Sequence, residues 1–281
     1  MTTAFVLSGG ASLGAVQVGM LRGLAEQGIT PDLIVGTSVG AVNGGWIASR
    51  PDVNGIDALA DLWRSLSRKD IFPTHPISGL LGFVGRSSHL VPNSGLRRLL
   101  TDQLEFARLE DAPIPFHVVA TDVVSGTDVL LSSGDAVDAI AASAAIPGIF
   151  PPVNINGRDL MDGGVVNNTP LSHAVALGAD RLWVLPTGYS CDLPGSPQTA
   201  MTMALHALTM TVNHRLAIDV ARFEQEVDLH VIQPLCPVAT SGADFSRAAT
   251  LIERSHASTR EWLAACHPST GQAELLESHR H

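Results

Sequence analysis

Apolar positions along this chain switch between two periods, and the switching outlines a fold. Thr3–Leu7 is a short apolar run bounded by Gly9 and Gly10, which reads as a buried strand. Over 15–26 the period lengthens: Val16, Met20, Leu21 and Leu24 share one helical face, and Gly28 follows as a helix-ending residue. Residues 33–35 read as a second strand. Helices are expected over 41–49, 56–67 and 94–103, with a Gly/Pro-rich stretch, 72–93, between the last two. Further strands are expected at 116–120 and 129–131, then a small-residue helix over 136–145 that stops at Pro147. The run 153–161 reads as a hairpin turning at Asn156-Gly157 and leading into Asp162. Beyond it the pattern predicts a helix at 170–177, a strand at 182–185, a long helix at 200–225, a strand at 229–232 and a final helix at 245–265. Strands alternating with helices imply an α/β fold whose central sheet is mostly parallel and flanked by helices. No internal repeat or linker interrupts it. The expected organisation is one domain over 1–268 with a flexible tail, 269–281.

Composition narrows the classes. In 281 residues, 45% are apolar and only 16% charged, enough to bury one large core. The net charge of -10 provides no basic field for a phosphate backbone or an anionic bilayer, so nucleic acid is not an expected partner and membrane contact is expected to be peripheral at most. Cys191, Cys236 and Cys266 are scattered and lack any CxxC spacing, which argues against a disulfide framework and a zinc site and fits a reducing cytoplasm. The first twenty residues lack a charged leader region and are broken by glycines, and no apolar run reaches about 18 residues. A cytoplasmic location is the expectation.

Three short segments carry chemistry. Gly36-Thr37-Ser38-Val39-Gly40 follows an apolar strand and precedes a helical pattern, so Ser38 occupies a sharp strand-to-helix turn with its hydroxyl at a helix N-terminus. The elbow glycines, Gly36 and Gly40, relieve crowding there. Upstream, Ser8-Gly9-Gly10-Ala11-Ser12-Leu13-Gly14 joins the first strand to the first helix. A phosphate-binding loop is excluded, because Ala15-Val16 stands where Lys-Ser/Thr is required; a dinucleotide fingerprint lacks its second glycine at Ala11. What remains is a loop whose backbone N–H groups face an oxygen that becomes negative during acyl transfer, or a tight crossing that merely needs glycine. The third segment is Asp162-Gly163-Gly164. An ordinary aspartate titrates near ~3.9 and is a weak base for a hydroxyl, so Asp162 needs burial and a short bond to Ser38 to serve. Read alone, Asp-Gly is also a common turn pair.

In this order and chemistry the three segments resemble the patatin-like phospholipase family, and the likeness extends to Ala142-Ser143-Ala144-Ala145-Ile146-Pro147 and to the helix starting near Asp244-Phe245. The resemblance implies a patatin-like three-layer sandwich, no cofactor and no metal. It also implies a Ser-Asp dyad in which Ser38 is the nucleophile and Asp162 the base, with Gly163 and Gly164 as supporting turn residues. Gly9, Gly10 and Ala11 match the part of the loop that supplies oxyanion-hole amides. The substrate implied is a lipid or fatty-acyl ester, hydrolysed through an acyl-enzyme. The alternatives are transfer of the acyl group to an alcohol, or a catalytically silent lipid-binding or regulatory protein on the same fold. One departure bears on substrate: many members carry Arg or Lys where this chain has Leu13.

Other residues compete for roles. His173 follows Asp162 as a triad histidine would, but the pattern around it is that of a regular helix beginning near Pro170. His75 and His89 lie in the Gly/Pro-rich stretch. Within that stretch the apolar segment 77–84 suits a flap over an acyl groove, with Leu80 and Phe83 as contact residues, or packing beneath a neighbouring helix. The long helix over 200–225 reads as core or as the face of a homo-oligomer, and its Met201, Met203 and Met210 could line a fatty-chain pocket or simply fill core.

Overall fold

The computed structural model of the protein describes residues 1–72, 89–188, 196, 198–235 and 244–265, without the side chains of 200–202, 204, 205 and 208. Eight strands form one sheet: β1 (Thr3–Leu7), β2 (Leu33–Thr37), β3 (Phe116–Asp122), β4 (Asp128–Leu131), β5 (Val153–Ile155), β6 (Arg158–Asp162), β7 (Arg181–Leu185) and β8 (Asp228–Val231). The described helices are α1 (Gly14–Glu26), α2 (Val39–Ile47), α3 (Val53–Ser65), α4 (Arg68–Ile71), α5 (Ser94–Gln103), α6 (Ala136–Ser143), α7 (Leu171–Ala176), α8 (Ala200–Phe223) and α9 (Ala248–Ala264). Every strand and helix expected from periodicity is present.

The sheet is parallel through β3, β2, β1, β7 and β8, while β4 and β6 run antiparallel to β3 and β5 antiparallel to β6. Successive strand residues separate cleanly onto two faces. Phe5, Leu7, Ile34, Phe116, Val118 and Leu185 pack with α1, α2, α3, α5, α6 and α9. Ala4, Val6, Leu33, Val35, Val119 and Val184 pack with α7 and α8. Both faces are covered, which is why the central strands read as continuous apolar runs rather than alternating ones. The result is three layers, as expected.

The differences sit at element ends. The helix α9 starts at Ala248, three residues later than the periodicity suggests, because Phe245 is buried outside it. Asp52 caps α3 by accepting from Gly55 N–H at 2.7 Å, which moves that helix's start forward from 56. The turn α4 was not anticipated. At the hairpin, Asn156 and Gly157 both adopt positive φ, 54° and 79°, as a two-residue turn of twisted strands requires. No described helix is long and apolar enough to cross a membrane. The three cysteines, the flap segment and the tail 269–281 lie outside the described residues.

Candidate active site

One strand brings the two ends of the site together. β4 occupies one edge of β3 from Val118 to Thr121, so β2 and β6 must share the other. β2 climbs that edge until Thr37 stands opposite Val119, and β6 descends it until Asp162 stands opposite Ala120. Two strands of opposite direction therefore end head to head on adjacent rungs. Ser38, the next residue after Thr37, donates from Oγ to Asp162 Oδ2 at 2.6 Å across 124 residues of sequence.

The serine's backbone is unusual. Ser38 has φ 55° and ψ -124°, a region that costs a non-glycine residue about 1–3 kcal/mol. Its neighbours are crowded: a Cβ on Gly40 would strike the Leu7 carbonyl, and one on Gly36 would meet Ala41 Cα at 2.8 Å. The side chain makes no cap to its own helix, so Oγ stays free for Asp162 at the helix N-terminus.

Asp162 is buried, with 6% of its surface exposed. Burial pushes its carboxyl up to about 6, while the bond from Ser38 and one from Gly164 N–H to Oδ1, at 2.7 Å, restrain the rise. Among the described residues no Arg, Lys or His pairs with it. Gly163 passes so close to the Val119 carbonyl that a side chain there would collide.

The glycine loop lies against this pair, held from behind by a buried polar network. Gln17 Nε2 donates to the carbonyls of Ser8 and Leu185, both at 2.9 Å. Asn43 Nδ2 donates to Gln17 Oε1 at 2.9 Å and to the Gly14 carbonyl at 3.0 Å, and Trp63 Nε1 donates to Asn43 Oδ1 at 2.9 Å. Thr187 Oγ1 donates to the Gly9 carbonyl at 2.6 Å, and a Cβ on Gly10 would strike that threonine. The three loop residues matched to an oxyanion hole differ in their backbone bonding. Gly9 N–H donates to the Asn168 carbonyl at 3.1 Å, whereas the N–H groups of Gly10 and Ala11 meet no acceptor among the described residues. Ser38 N–H is also engaged, by Ser143 Oγ at 2.8 Å.

Beside Ser38 opens a cavity with room for about 80 Å³. Val39, Val42 and Trp46 form one wall at spacings of three and four residues, so it follows α2 for two turns away from Ser38, roughly 10 Å. Helices α3 and α5 supply leucines, and Phe72, Phe150 and Phe245 close the remaining side. Among the described residues no charged side chain lines it, and Gln103 is the polar exception besides Ser38.

Sequence reasoning did not find this cavity, because its walls come from separate helices whose apolar faces look like ordinary core. Leu80 and Phe83, expected at an acyl groove, lie outside the described residues, as does His75. Met203 and Met210 are about half exposed on α8, not core, and do not line this cavity; the side chain of Met201 lies outside the described residues. The long helix is buried towards its end, at Leu216, Val220 and Phe223. His173 sits in α7 with Nε2 2.9 Å from Asp128 Oδ2, an oxygen that also accepts from Asn167 Nδ2 at 2.8 Å. No described histidine is bonded to Ser38 or Asp162. The contacts of Ser143, which the sequence offers only as part of the segment 142–147, and of Asn168 and Thr187 are not legible in the sequence; for Ser143 a polar residue among alanines was the available signal.

The fold and the site together define a three-layer α/β protein with a serine–carboxylate pair beside an apolar cavity. Residues 5–175 match the family model described as Patatin-like phospholipase, and the chain belongs to that family. It is 31% identical over 191 residues to patatin-like phospholipase domain-containing protein 7 of Rattus norvegicus, covering 66% of this chain and 13% of that protein. Lysophospholipase NTE1 of Kluyveromyces lactis is 31% identical over 191 residues, covering 65% and 12%. An uncharacterized NTE family protein of Mycobacterium tuberculosis is 31% identical over 181 residues, covering 63% and 46%. The chain thus spans about an eighth of the first two relatives and under half of the third. Among solved structures, VipD from Legionella pneumophila matches with a TM-score of 0.46 and 14% identity, covering 94% of this chain and 67% of that one. Human GIVD cytosolic phospholipase A2, in complex with methyl gamma-linolenyl fluorophosphonate, has a TM-score of 0.46 and 12% identity, covering 97% and 58%.

Proposed function

We propose that this protein is a serine hydrolase that cleaves carboxylic esters of fatty-acyl, lipid-like substrates through a Ser38–Asp162 dyad. The observation that carries the reading is the 2.6 Å bond from Ser38 Oγ to a buried carboxyl pushed up to about 6, beside a cavity whose described lining is uncharged. A base titrating there is ionised at neutral pH yet far stronger than an ordinary aspartate. The family membership and relatives named as phospholipases and lysophospholipases support the same class.

In this mechanism Ser38 Oγ attacks the ester carbonyl carbon while its proton passes to Asp162 Oδ2. The carbonyl oxygen becomes an oxyanion, held by the free N–H groups of Gly10 and Ala11. Collapse of the intermediate breaks the bond to the alcohol oxygen, which takes the proton from Asp162. Water then attacks the acyl-enzyme, gives its proton to Asp162, and Ser38 Oγ recovers that proton as the acid leaves. The acyl chain lies along Val39, Val42 and Trp46, where each buried methylene contributes about 0.8 kcal/mol. With Leu13 in the loop and no charge among the described lining residues of the cavity, recognition rests on the chain rather than on an anionic headgroup.

Labelling with a fluorophosphonate, followed by peptide mapping and a panel of neutral esters of rising chain length, tests this reading. The label is expected on Ser38, and kcat/KM is expected to rise from acetyl to medium-chain esters. Label on another serine, or hydrolysis surviving in Ser38→Ala, would overturn the dyad. No turnover of any ester would leave a silent lipid-binding protein, and ester products in place of free acid would mark an acyltransferase.

A further inference from the structure

Both amides of the dyad are held by one short segment at the end of α6. Ser38 N–H donates to Ser143 Oγ at 2.8 Å, and Asp162 N–H donates to the Ala145 carbonyl at 3.0 Å. Ser143 Oγ in turn donates to the Val119 carbonyl at 2.6 Å, on the rung opposite Thr37 and adjacent to the one that pairs Asp162. Ser143 has no exposed surface, so water has no access to take over either bond.

The Ser38 backbone needs such a hold. Its conformation is one that L residues leave unless the surroundings fix it, and its carbonyl is already occupied by Ala41 N–H and Val42 N–H of α2. The N–H is the remaining handle, and Ser143 has it. Between these two anchors the Cα–Cβ direction of Ser38 is set, and with it the approach of Oγ to Asp162. Ala144 and Ile146 of the same segment line the cavity, so the holder is itself part of a packed wall.

We propose that Ser143 is a positioning residue for the dyad: its hydroxyl, bonded between Ser38 N–H and the Val119 carbonyl, sets the geometry at which Ser38 Oγ meets Asp162. The proposal rests on the reading of Ser38 and Asp162 given above. It takes no substrate contact from Ser143 and assigns it no proton transfer. Removing the hydroxyl lets the elbow relax, and small misplacements of a reacting group cost up to about 100-fold in rate.

The test compares Ser143→Ala and Ser143→Thr with the parent in ester hydrolysis, fluorophosphonate labelling and thermal unfolding. Ser143→Ala is expected to lower kcat roughly 10–100-fold with KM within about twofold, and to slow labelling in parallel. Its acid limb of kcat/KM should move above pH 6, because a looser Ser38–Asp162 bond removes one restraint on the carboxyl's rise. Ser143→Thr, which keeps the hydroxyl, should recover most of the loss. A folded Ser143→Ala with parental kcat and an unmoved acid limb overturns the proposal, as does a threonine variant no better than alanine. If the alanine variant does not fold, Ser143→Cys, a weak acceptor of similar size, replaces it and must fall well below threonine; equality overturns the proposal. Failure of the dyad itself looks different, since the parent would then carry no label on Ser38.

Discussion

Two aspartates lie two rungs apart on the same pair of strands and behave as opposites. Asp162 faces Ala120 across the β3–β6 ladder; Asp122 faces Leu160. Around Asp122 the donors converge: Ser125 N–H and Val124 N–H bond Oδ1, both at 2.9 Å, and Arg158 Nε bonds Oδ2 at 2.7 Å. The Ser125 amide and the Arg158 guanidinium bring its carboxyl down to about 2. Among the described residues Asp162 has one hydroxyl, one amide and no cation, and burial takes it up to about 6. Near-identical places in a sheet thus yield a fixed anion that braces the β3–β4 turn and a carboxyl able to exchange a proton near neutrality. The difference lies in the donors supplied by the surrounding chain.

The largest expected effect separates their roles in turnover. Asp162→Asn should lower kcat by roughly 10²–10⁴-fold, the range for loss of a positioned general base, whereas Asp122→Asn should stay within a few-fold of the parent. His173→Ala should likewise keep most activity. Steady-state kinetics on a neutral ester checks all three, and comparable losses at both aspartates would break the contrast.

Next in size is the pH dependence. Asp162 must be ionised to accept the serine proton, so kcat/KM should fall about tenfold per unit below a midpoint near pH 6 and level off above it. A midpoint near 4, where an ordinary carboxylate titrates, would mean that burial does not govern this group.

Stability sharpens the comparison further. Because the folded value of Asp162 lies above its unfolded value near 3.8, the protein is most favoured by this group at low pH and loses that advantage as pH rises from about 4 through 6. A shift of about two units corresponds to roughly 3 kcal/mol at most, part of which the lost hydrogen-bond geometry offsets. Asp162→Asn should therefore be about 1–2 kcal/mol more stable than the parent at pH 8 and no more stable at pH 4, measured by denaturant unfolding. An equal gain at both pH values would place the effect outside ionisation.

The smallest effect belongs to Asp122, with the opposite sign. Its lowered value contributes stability above about pH 4 that is lost as pH falls through 2, so Asp122→Asn should unfold more easily at pH 7 and show a flatter loss in acid. Thermal unfolding between pH 7 and pH 2.5 follows it, and an unchanged acid slope would remove Asp122 from the bracing role.

Much of this architecture was legible in the order of residues. A run such as Ala4-Phe5-Val6-Leu7 declares a strand covered on both faces, Asn156-Gly157 declares a hairpin turn, and Gly36-x-Ser38-x-Gly40 between a strand and a helix declares a serine at an elbow. These are local matters: period, turn geometry and steric room are properties of consecutive residues. The site is a different case. That Asp162 meets Ser38 follows from β2 and β6 sharing one edge of β3 in opposite directions, and periodicity records which face a residue buries but not which strands share an edge. The same reason hid the cavity, whose leucines and phenylalanines look like core until several helices are set around an unfilled space. It also hid the spent amide of Gly9 and the grip of Ser143 on Ser38, since a hydrogen bond depends on which groups the folded chain brings within about 3 Å, far apart as they are in sequence.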